Sequence, residues 1–204
     1  SLGASLHIPD QATLTAPGGL AAWFATVRPT AAHMTPPLGQ LLTAGKAPAL
    51  PDLRYVFWGG DVLRRSLVDT VTAIAPEVES VNFYGATETP QAAAFYRVPR
   101  QGDGEERLPI GRSTDGFEVE TEEDGAIIIR SSFLTLGPVL EGRLPPPAPP
   151  SVQTYDTGDL GERRADGAVM IRGRRDDQVK IRGYRVEMAE VTAAALRAPY
   201  VAQA

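Results

Sequence analysis

The first hundred residues alternate short apolar runs with amphipathic stretches, a pattern typical of strands and helices that follow one another along the chain. The apolar runs predict strands at Ser5–Ile8, 30–34, 53–58 and 80–84, and the run at 30–34 is expected to be buried. Helical patterns lie between them at 16–29, 38–45 and 62–76, with Pro17 opening the first helix. This alternation predicts a mostly parallel sheet covered by helices.

The second half of the chain has a different pattern. Residues 117–132 and 161–174 each alternate apolar and polar positions around an Asp-Gly pair, which predicts two hairpins. A proline-rich connector separates them, at 137–153. A single strand is expected at 179–187, then a helix at 188–198 and the beginning of another strand at 199–204.

The predicted fold class is therefore α/β, with three parts. An α/β subdomain with a mostly parallel sheet spans residues 1–106, and a small antiparallel, β-barrel-like subdomain spans residues 107–173. Residues 174–204 are the third part, with a strand, a helix and the beginning of another strand at which the sequence looks cut.

Three polar or glycine-containing stretches follow predicted strands, and they begin at Met34, Trp58 and Tyr84. Ligands of such sheets bind in the crevice beyond the carboxyl ends of the strands. Glu88 is expected to point into that crevice, where an isolated carboxylate is costly unless a cation joins it. The alternative is an ordinary polar loop at a strand end.

Composition narrows the function classes. The net charge of -5 does not favour a nucleic-acid surface, and no apolar run reaches the length of a membrane span. No leader peptide is recognised, and the absence of cysteine makes a cytoplasmic location the default expectation. With two distant histidines, no nucleophile elbow and no dinucleotide fingerprint, a hydrolase or a dehydrogenase is disfavoured.

Three motifs carry a resemblance to a known family. They are NFYGATET at 82–89, YDTGDL at 155–160 and GRRDDQVKIRGYRVE at 173–187. In this order they resemble the adenylate-forming superfamily, and specifically the amino-acid adenylation domains of nonribosomal peptide synthetases. Within that family, the stretches at 2–10, 31–42 and 81–96 resemble the domains of α-aminoadipate reductases and of synthetases that end in a thioester reductase.

The resemblance implies a ligase reaction. An amino acid, or a related carboxylic acid, attacks the α-phosphate of ATP to give an acyl-adenylate and pyrophosphate, with Mg²⁺ as the metal. The acyl group then passes to the phosphopantetheine thiol of a carrier-protein domain. The implied partners are that carrier domain and the neighbouring domains of the same synthetase, with no nucleic acid and no membrane.

The resemblance also implies roles for residues near the strand ends. Glu88 would bind Mg²⁺ and Thr87 would contact the phosphate. Tyr84 and the Gly85 backbone would border the adenylate. The small residues Gly59 and Gly60 would let the backbone approach adenine.

Further roles follow from the two later motifs. Asp159 would accept hydrogen bonds from both ribose hydroxyls, and Arg174 would support the same ribose. Residues 174–204 would be a hinge and the truncated start of a small α+β C-terminal lobe. Asp176 would be the hinge itself, and Lys180 would serve the thiolation step. Without the resemblance, Asp159 is an ordinary turn acid and Arg174 a solvated arginine.

The acyl side-chain pocket would be lined by six mostly apolar residues, which could equally be core residues. They are Met34, Val56, Trp58, Phe83, Gln91 and Ala92. The bulk of Trp58 and Phe83 suggests a shallow pocket and a small substrate.

Three features of the family are missing from the 204 residues: the phosphate loop ending in Lys-Gly, the aspartate for the substrate amine, and the C-terminal catalytic lysine. The chain alone is therefore expected to be inactive. It would be an excised piece or one part of an interrupted domain. The alternative is a degenerate domain kept as a non-catalytic scaffold between synthetase domains.

Overall fold

A computed structural model describes residues 3–89, 92–102, 104–135, 151–176, 178–181 and 184–197. Five helices lie in this part of the chain: α1 (Gln11–Thr15), α2 (Gly19–Val27), α3 (Pro36–Thr43), α4 (Arg65–Ile74) and α5 (Met188–Leu196). The strands are β1 (Ala31–Met34), β2 (Tyr55–Trp58), β3 (Glu79–Tyr84), β4 (Ala94–Arg97), β5 (Arg112–Ser113), β6 (Phe117–Thr121), β7 (Ala126–Ser131), β8 (Gln153–Arg163), β9 (Val169–Arg174), β10 (Gln178–Ile181) and β11 (Tyr184–Glu187). The α/β class is confirmed.

The chain forms two compact units. The first comprises Ser1–Trp58, Val62–Val81 and Val98–Leu108, and the second comprises Gly59–Asp61, Asn82–Arg97 and Pro109–Ala204. The five-stranded sheet has the order β1-β2-β3-β4-β5, and β3 runs from the first unit into the second. Strands β1 and β2 are parallel, as predicted, whereas β4 and β5 are antiparallel.

The core of the first unit centres on Trp58, at the end of β2. The Trp58 ring is fully buried, and its Nε1 donates a hydrogen bond of 3.1 Å to the Ser80 hydroxyl on β3. Helix α3 packs on the ring at Gly39, where a Cβ would lie 2.4 Å from the Trp58 Cζ3 atom. The helix needs glycine here because any side chain would overlap the indole.

The second unit contains a four-stranded antiparallel sheet in the order β6-β7-β8-β9. Both predicted Asp-Gly turns are present. Gly125 and Gly167 have φ angles of 85° and 84°, which suit glycine. In each turn the aspartate side chain accepts a hydrogen bond from a backbone N–H two residues on, at 2.9 Å for Asp124 and 3.0 Å for Asp166.

Several local expectations were wrong in the first unit. Ser5–Ile8 forms no strand, and Ile8 is 79% exposed, so its apolar side chain is not packed in a core. Helix α2 begins at Gly19 rather than at Pro17, because Gly18 takes a left-handed conformation with φ of 70°. Strand β1 buries Met34 and leaves its other residues at least partly exposed, so it is not a buried strand.

The end of the chain also differs from the expectation. The expected single strand at 179–187 is an antiparallel pair, β10 and β11, in which Gln178 lies opposite Glu187. Most of the proline-rich connector and the expected strand at 199–204 lie outside the described residues. Within the described residues, no helix has the length and apolar character needed to cross a membrane.

Candidate nucleotide-binding site

The turn after β3 is held by a residue that the sequence analysis did not single out, Thr89. Its side chain is fully buried, and its Oγ1 accepts a hydrogen bond of 2.8 Å from the Ala86 N–H. The Thr89 N–H donates to the Ala86 carbonyl at 3.1 Å. The turn leaves Thr87 exposed and Glu88 half-buried. A hydroxyl residue three positions after a turn start is a local signal that could have identified Thr89.

The Glu88 carboxylate suits a hard cation. Carboxylate oxygens are ligands that Mg²⁺ prefers, and this ion is commonly held by one or two carboxylates together with substrate phosphates. The Glu88 main chain is anchored, since its carbonyl accepts a 2.9 Å hydrogen bond from the Thr135 N–H. In the described part of the chain, no group of three or more His, Cys, Asp or Glu residues could hold a metal without other ligands. The single Glu88 carboxylate fits a Mg²⁺ in ligand chemistry.

Four residues from the three motifs form one hydrogen-bonded chain, which we call the Asp159 cluster: Tyr84, Asp159, Arg174 and Asp176. The Tyr84 hydroxyl donates to Asp159 Oδ2 at 2.6 Å, and Arg174 Nη1 donates to Asp159 Oδ1 at 2.5 Å. Along another edge of the guanidinium, Arg174 Nε and Nη2 donate to the two Asp176 carboxylate oxygens at 2.6 and 2.7 Å, as a bidentate pair. Asp159 is only 6% exposed and therefore is not a solvated turn acid.

Local geometry explains why these motif residues meet. Asp159 and Arg174 lie opposite each other in the register of β8 and β9. Gly158 precedes Asp159 with φ of 72°, and a Cβ there would lie 2.7 Å from Arg174 Nη2 and 2.9 Å from Asp176 Oδ2. The glycine of YDTGDL therefore provides both a left-handed backbone and the space for the arginine side chain.

The electrostatics keep both donors protonated. Burial raises the pKa of Tyr84 well above its ordinary value, and the Asp159 charge and hydrogen bond raise it further. The hydrogen bonds with Asp176 raise the pKa of Arg174, and the charge of Asp159 adds to this effect. Tyr84 and Arg174 therefore remain hydrogen-bond donors to Asp159 throughout the neutral pH range.

Another residue missed by the sequence analysis is Asn82, the first position of the first motif. Its side chain is 3% exposed and its Nδ2 donates a 2.8 Å hydrogen bond to the Pro109 carbonyl. The bond fixes β3 to the segment that leads into β5. A polar residue inside an otherwise apolar strand was the available signal, because buried amides need partners.

The expected pocket residues divide between the two units. In the first unit Met34, Val56 and Trp58 are 5%, 0% and 0% exposed and belong to the core. In the second unit Phe83 and Ala92 are half-buried. Gln91 lies outside the described residues.

The remaining expected residues lie either just after a strand or within one. Gly59 and Gly60 follow β2, and Gly60 has φ of 84°, while Gly85 follows β3. Lys180 lies on β10 opposite Arg185.

Comparisons with known proteins give a consistent picture. The AMP-binding enzyme family matches residues 1–137. L-2-aminoadipate reductase of Schizosaccharomyces pombe is 30% identical over 98% of this chain, which spans 17% of the reductase. A plipastatin synthase protein of Bacillus subtilis is 33% identical over 94% of this chain, which spans 6% of that synthase protein.

Solved structures agree. PA1221, described as an NRPS protein containing adenylation and PCP domains, has a TM-score of 0.74 at 25% identity and covers 92% of this chain. IdnL1 has a TM-score of 0.74 at 27% identity and covers 95%. The chain spans 41% and 44% of those two structures. The motifs, the fold and the relatives together confirm the resemblance to adenylation domains, and the chain belongs to the AMP-binding enzyme family.

Proposed function

We propose that this chain supplies the adenosine-binding and acyl-side-chain-binding parts of an amino-acid adenylation domain. Such a domain activates an amino acid, or a related carboxylic acid, with ATP and loads it onto the phosphopantetheine of a carrier-protein domain. The proposal is supported by motifs at 82–89, 155–160 and 173–187, by relatives among aminoadipate reductases and plipastatin synthases, and by the carrier domain that accompanies PA1221.

The observation that carries the proposal is the environment of Asp159. An ionised carboxylate has about four acceptor positions, and Tyr84 and Arg174 use two of them. The remaining positions suit a ligand with two adjacent hydroxyl groups, as the ribose of a nucleotide has. Arg174 would support the same ribose. The backbone of Gly59, Gly60 and Gly85 would lie against the adenylate.

The Glu88 carboxylate would hold Mg²⁺ together with the nucleotide phosphates, and Thr87 would contact a phosphate with its exposed hydroxyl. A bound Mg²⁺ supplies charge neutralisation for the phosphate oxygens. The contribution of this chain is to fix the turn that carries both residues, through the Thr89 and Ala86 hydrogen bonds.

Asp176 would serve as the hinge of the C-terminal lobe and Lys180 would act in the thiolation step. The acyl side chain would be bound by Met34, Val56, Trp58, Phe83, Gln91 and Ala92. We expect the 204-residue chain to show no pyrophosphate exchange, because the phosphate loop and the catalytic lysine of the family are not among these residues.

Calorimetric titration of the chain with non-hydrolysable aminoacyl-adenylate sulfamates tests the proposal. We expect selective binding, and the preferred member of the panel identifies the substrate. Asp159→Ala should weaken binding at least tenfold, since hydrogen bonds to a charged group are worth about 1.5–3 kcal/mol. Glu162→Ala is the matched control, because this acid lies on the same strand with a side chain 53% exposed. A folded chain that binds no member of the panel would instead favour the scaffold function.

The magnesium role has its own test. Titration of the chain with ATP in the presence of Mg²⁺ and of EDTA should show tighter binding with the metal, and Glu88→Gln should remove that difference. Glu123→Gln, an exposed glutamate in the β6–β7 turn, is the control. An undiminished Mg²⁺ effect in Glu88→Gln would contradict the role.

A further inference from the structure

The Tyr84 side chain is packed in the interior of the second unit. It is only 6% exposed, and its ring packs in a core cluster of the second unit together with Ala93, Ile127 and Val169. The ring position is therefore set by the core. The Tyr84 hydroxyl donates a 2.6 Å hydrogen bond to Asp159 Oδ2 and also interacts with the Thr157 side chain.

The other contacts of Asp159 fix its main chain and one carboxylate oxygen, but they still allow the carboxylate to rotate. The Asp159 N–H donates to the Thr157 hydroxyl at 3.1 Å, and Thr157 Oγ1 donates to the Ile127 carbonyl at 2.8 Å, so the main chain is fixed. Arg174 holds Oδ1. A carboxylate held at one oxygen can still rotate, whereas one held at both oxygens by two different elements cannot.

The two holding groups differ in how firmly they are placed. Arg174 is on a long side chain that also binds Asp176, whose side chain is 45% exposed. Tyr84 is a rigid ring inside a packed core, and buried side chains of that kind sit in one rotamer. The position of Oδ2 is thus determined by the more rigid of the two partners.

We propose that Tyr84 is a positioning residue for ribose recognition, whose hydroxyl fixes the plane of the Asp159 carboxylate so that each oxygen keeps one acceptor position for one hydroxyl of a vicinal diol. This inference rests on the proposed function, since it takes Asp159 to be the ribose acceptor. It makes the pair of Tyr84 and Asp159 the element that distinguishes ribonucleotides from deoxyribonucleotides.

Calorimetric titration of the chain with AMP and with 2′-deoxy-AMP tests this role. We expect the wild-type chain to bind AMP roughly tenfold more tightly than 2′-deoxy-AMP, the effect of one hydrogen bond to a charged group. In Tyr84→Phe the ratio should fall to about two, while the affinity for 2′-deoxy-AMP changes by less than about threefold. If Tyr84 had a purely structural role, Tyr84→Phe would weaken the binding of AMP and of 2′-deoxy-AMP equally and leave the ratio of the two affinities unchanged.

Tyr55→Phe is the matched control, because it removes the same hydroxyl from a tyrosine that is 43% exposed on β2 in the first unit. It should leave both affinities unchanged. Asp159→Asn separates the inference from the proposed function. It should abolish the preference for AMP over 2′-deoxy-AMP whichever group positions the carboxylate.

Each other result has a defined meaning. If Tyr84→Phe keeps the wild-type ratio while Asp159→Asn loses it, the ribose contact stands and the positioning role of Tyr84 is wrong. If the wild-type chain does not distinguish the nucleotides, or binds neither of them, the ribose contact is wrong and the inference fails with it. Loss of the near-UV circular dichroism in Tyr84→Phe would assign the hydroxyl to folding and overturn the proposal.

Discussion

Two regions of the chain bury their central side chains by opposite means. Around Trp58, in the first unit, burial is achieved by packing: the indole fills the space left by Gly39, and one hydrogen bond to Ser80 satisfies its N–H. In the Asp159 cluster, in the second unit, burial is achieved by hydrogen bonds that use both carboxylate oxygens. The burial of Trp58 depends on the shape of the space around the ring, and the burial of Asp159 depends on its hydrogen-bond donors.

The difference matters for how a binding site is recognised. The burial of Met34, Val56 and Trp58 is explained by packing, and it agrees equally with core residues and with the wall of a pocket. A buried carboxylate is costly unless it is hydrogen-bonded, and Tyr84 and Arg174 supply those hydrogen bonds to Asp159. The Asp159 cluster is therefore the stronger support for the proposed function.

The largest effect should come from removing the packed ring. Trp58→Ala leaves a cavity in the first unit and should lower the free energy of unfolding by about 3–5 kcal/mol, measured by urea denaturation. Tyr55→Ala, at an exposed position on the same strand, should cost much less. A loss below about 1 kcal/mol for Trp58→Ala would show that the ring is not held by the core and would favour a pocket role.

A smaller effect is expected in the Asp159 cluster. Gly158→Ala places a Cβ on a backbone with φ of 72° and 2.7 Å from Arg174 Nη2. It should lower the free energy of unfolding by about 1–2 kcal/mol and also weaken the binding of AMP. Gly173→Ala is the control, because a Cβ there meets no atom within 4 Å. If AMP affinity were unchanged in Gly158→Ala, the geometry of the cluster would not govern binding.

The smallest effect is expected for the dependence of the free energy of unfolding on alkaline pH. The raised pKa of Tyr84 means that above pH 10 the unfolded chain releases this proton while the folded chain retains it. The contribution of the buried Tyr84 hydroxyl to the free energy of unfolding is complete below pH 10. Above pH 10 this contribution declines by up to about 1.4 kcal/mol per pH unit. In Tyr84→Phe that slope should be absent, as followed by urea denaturation between pH 9 and pH 11. Equal slopes in both chains would mean that Tyr84 is not buried against Asp159.

Much of the fold follows from local sequence. The Asp-Gly pairs at 124–125 and 166–167 predicted both hairpins, since a glycine with positive φ and an aspartate side-chain acceptor act within the turn itself. Helix α4 was likewise predicted from apolar spacing at 62–76, and a short helix was expected at 38–45, where α3 begins two residues earlier at Pro36. The failures occurred where local pattern was ambiguous: the apolar piece at Ser5–Ile8 stays exposed, and the expected strand at 179–187 is two strands.

The sequence by itself determined the family, the Asp-Gly turns and the identity of the candidate residues, because motifs and turn chemistry involve neighbouring positions. The tertiary structure decided which of those residues meet. Tyr84 and Asp159 are 75 positions apart, and their hydrogen bond exists because the core of the second unit holds the ring against β8. Likewise, the burial of Trp58 depends on a helix passing over it at Gly39. Contacts between distant positions arise from packing, which no local pattern of residues encodes.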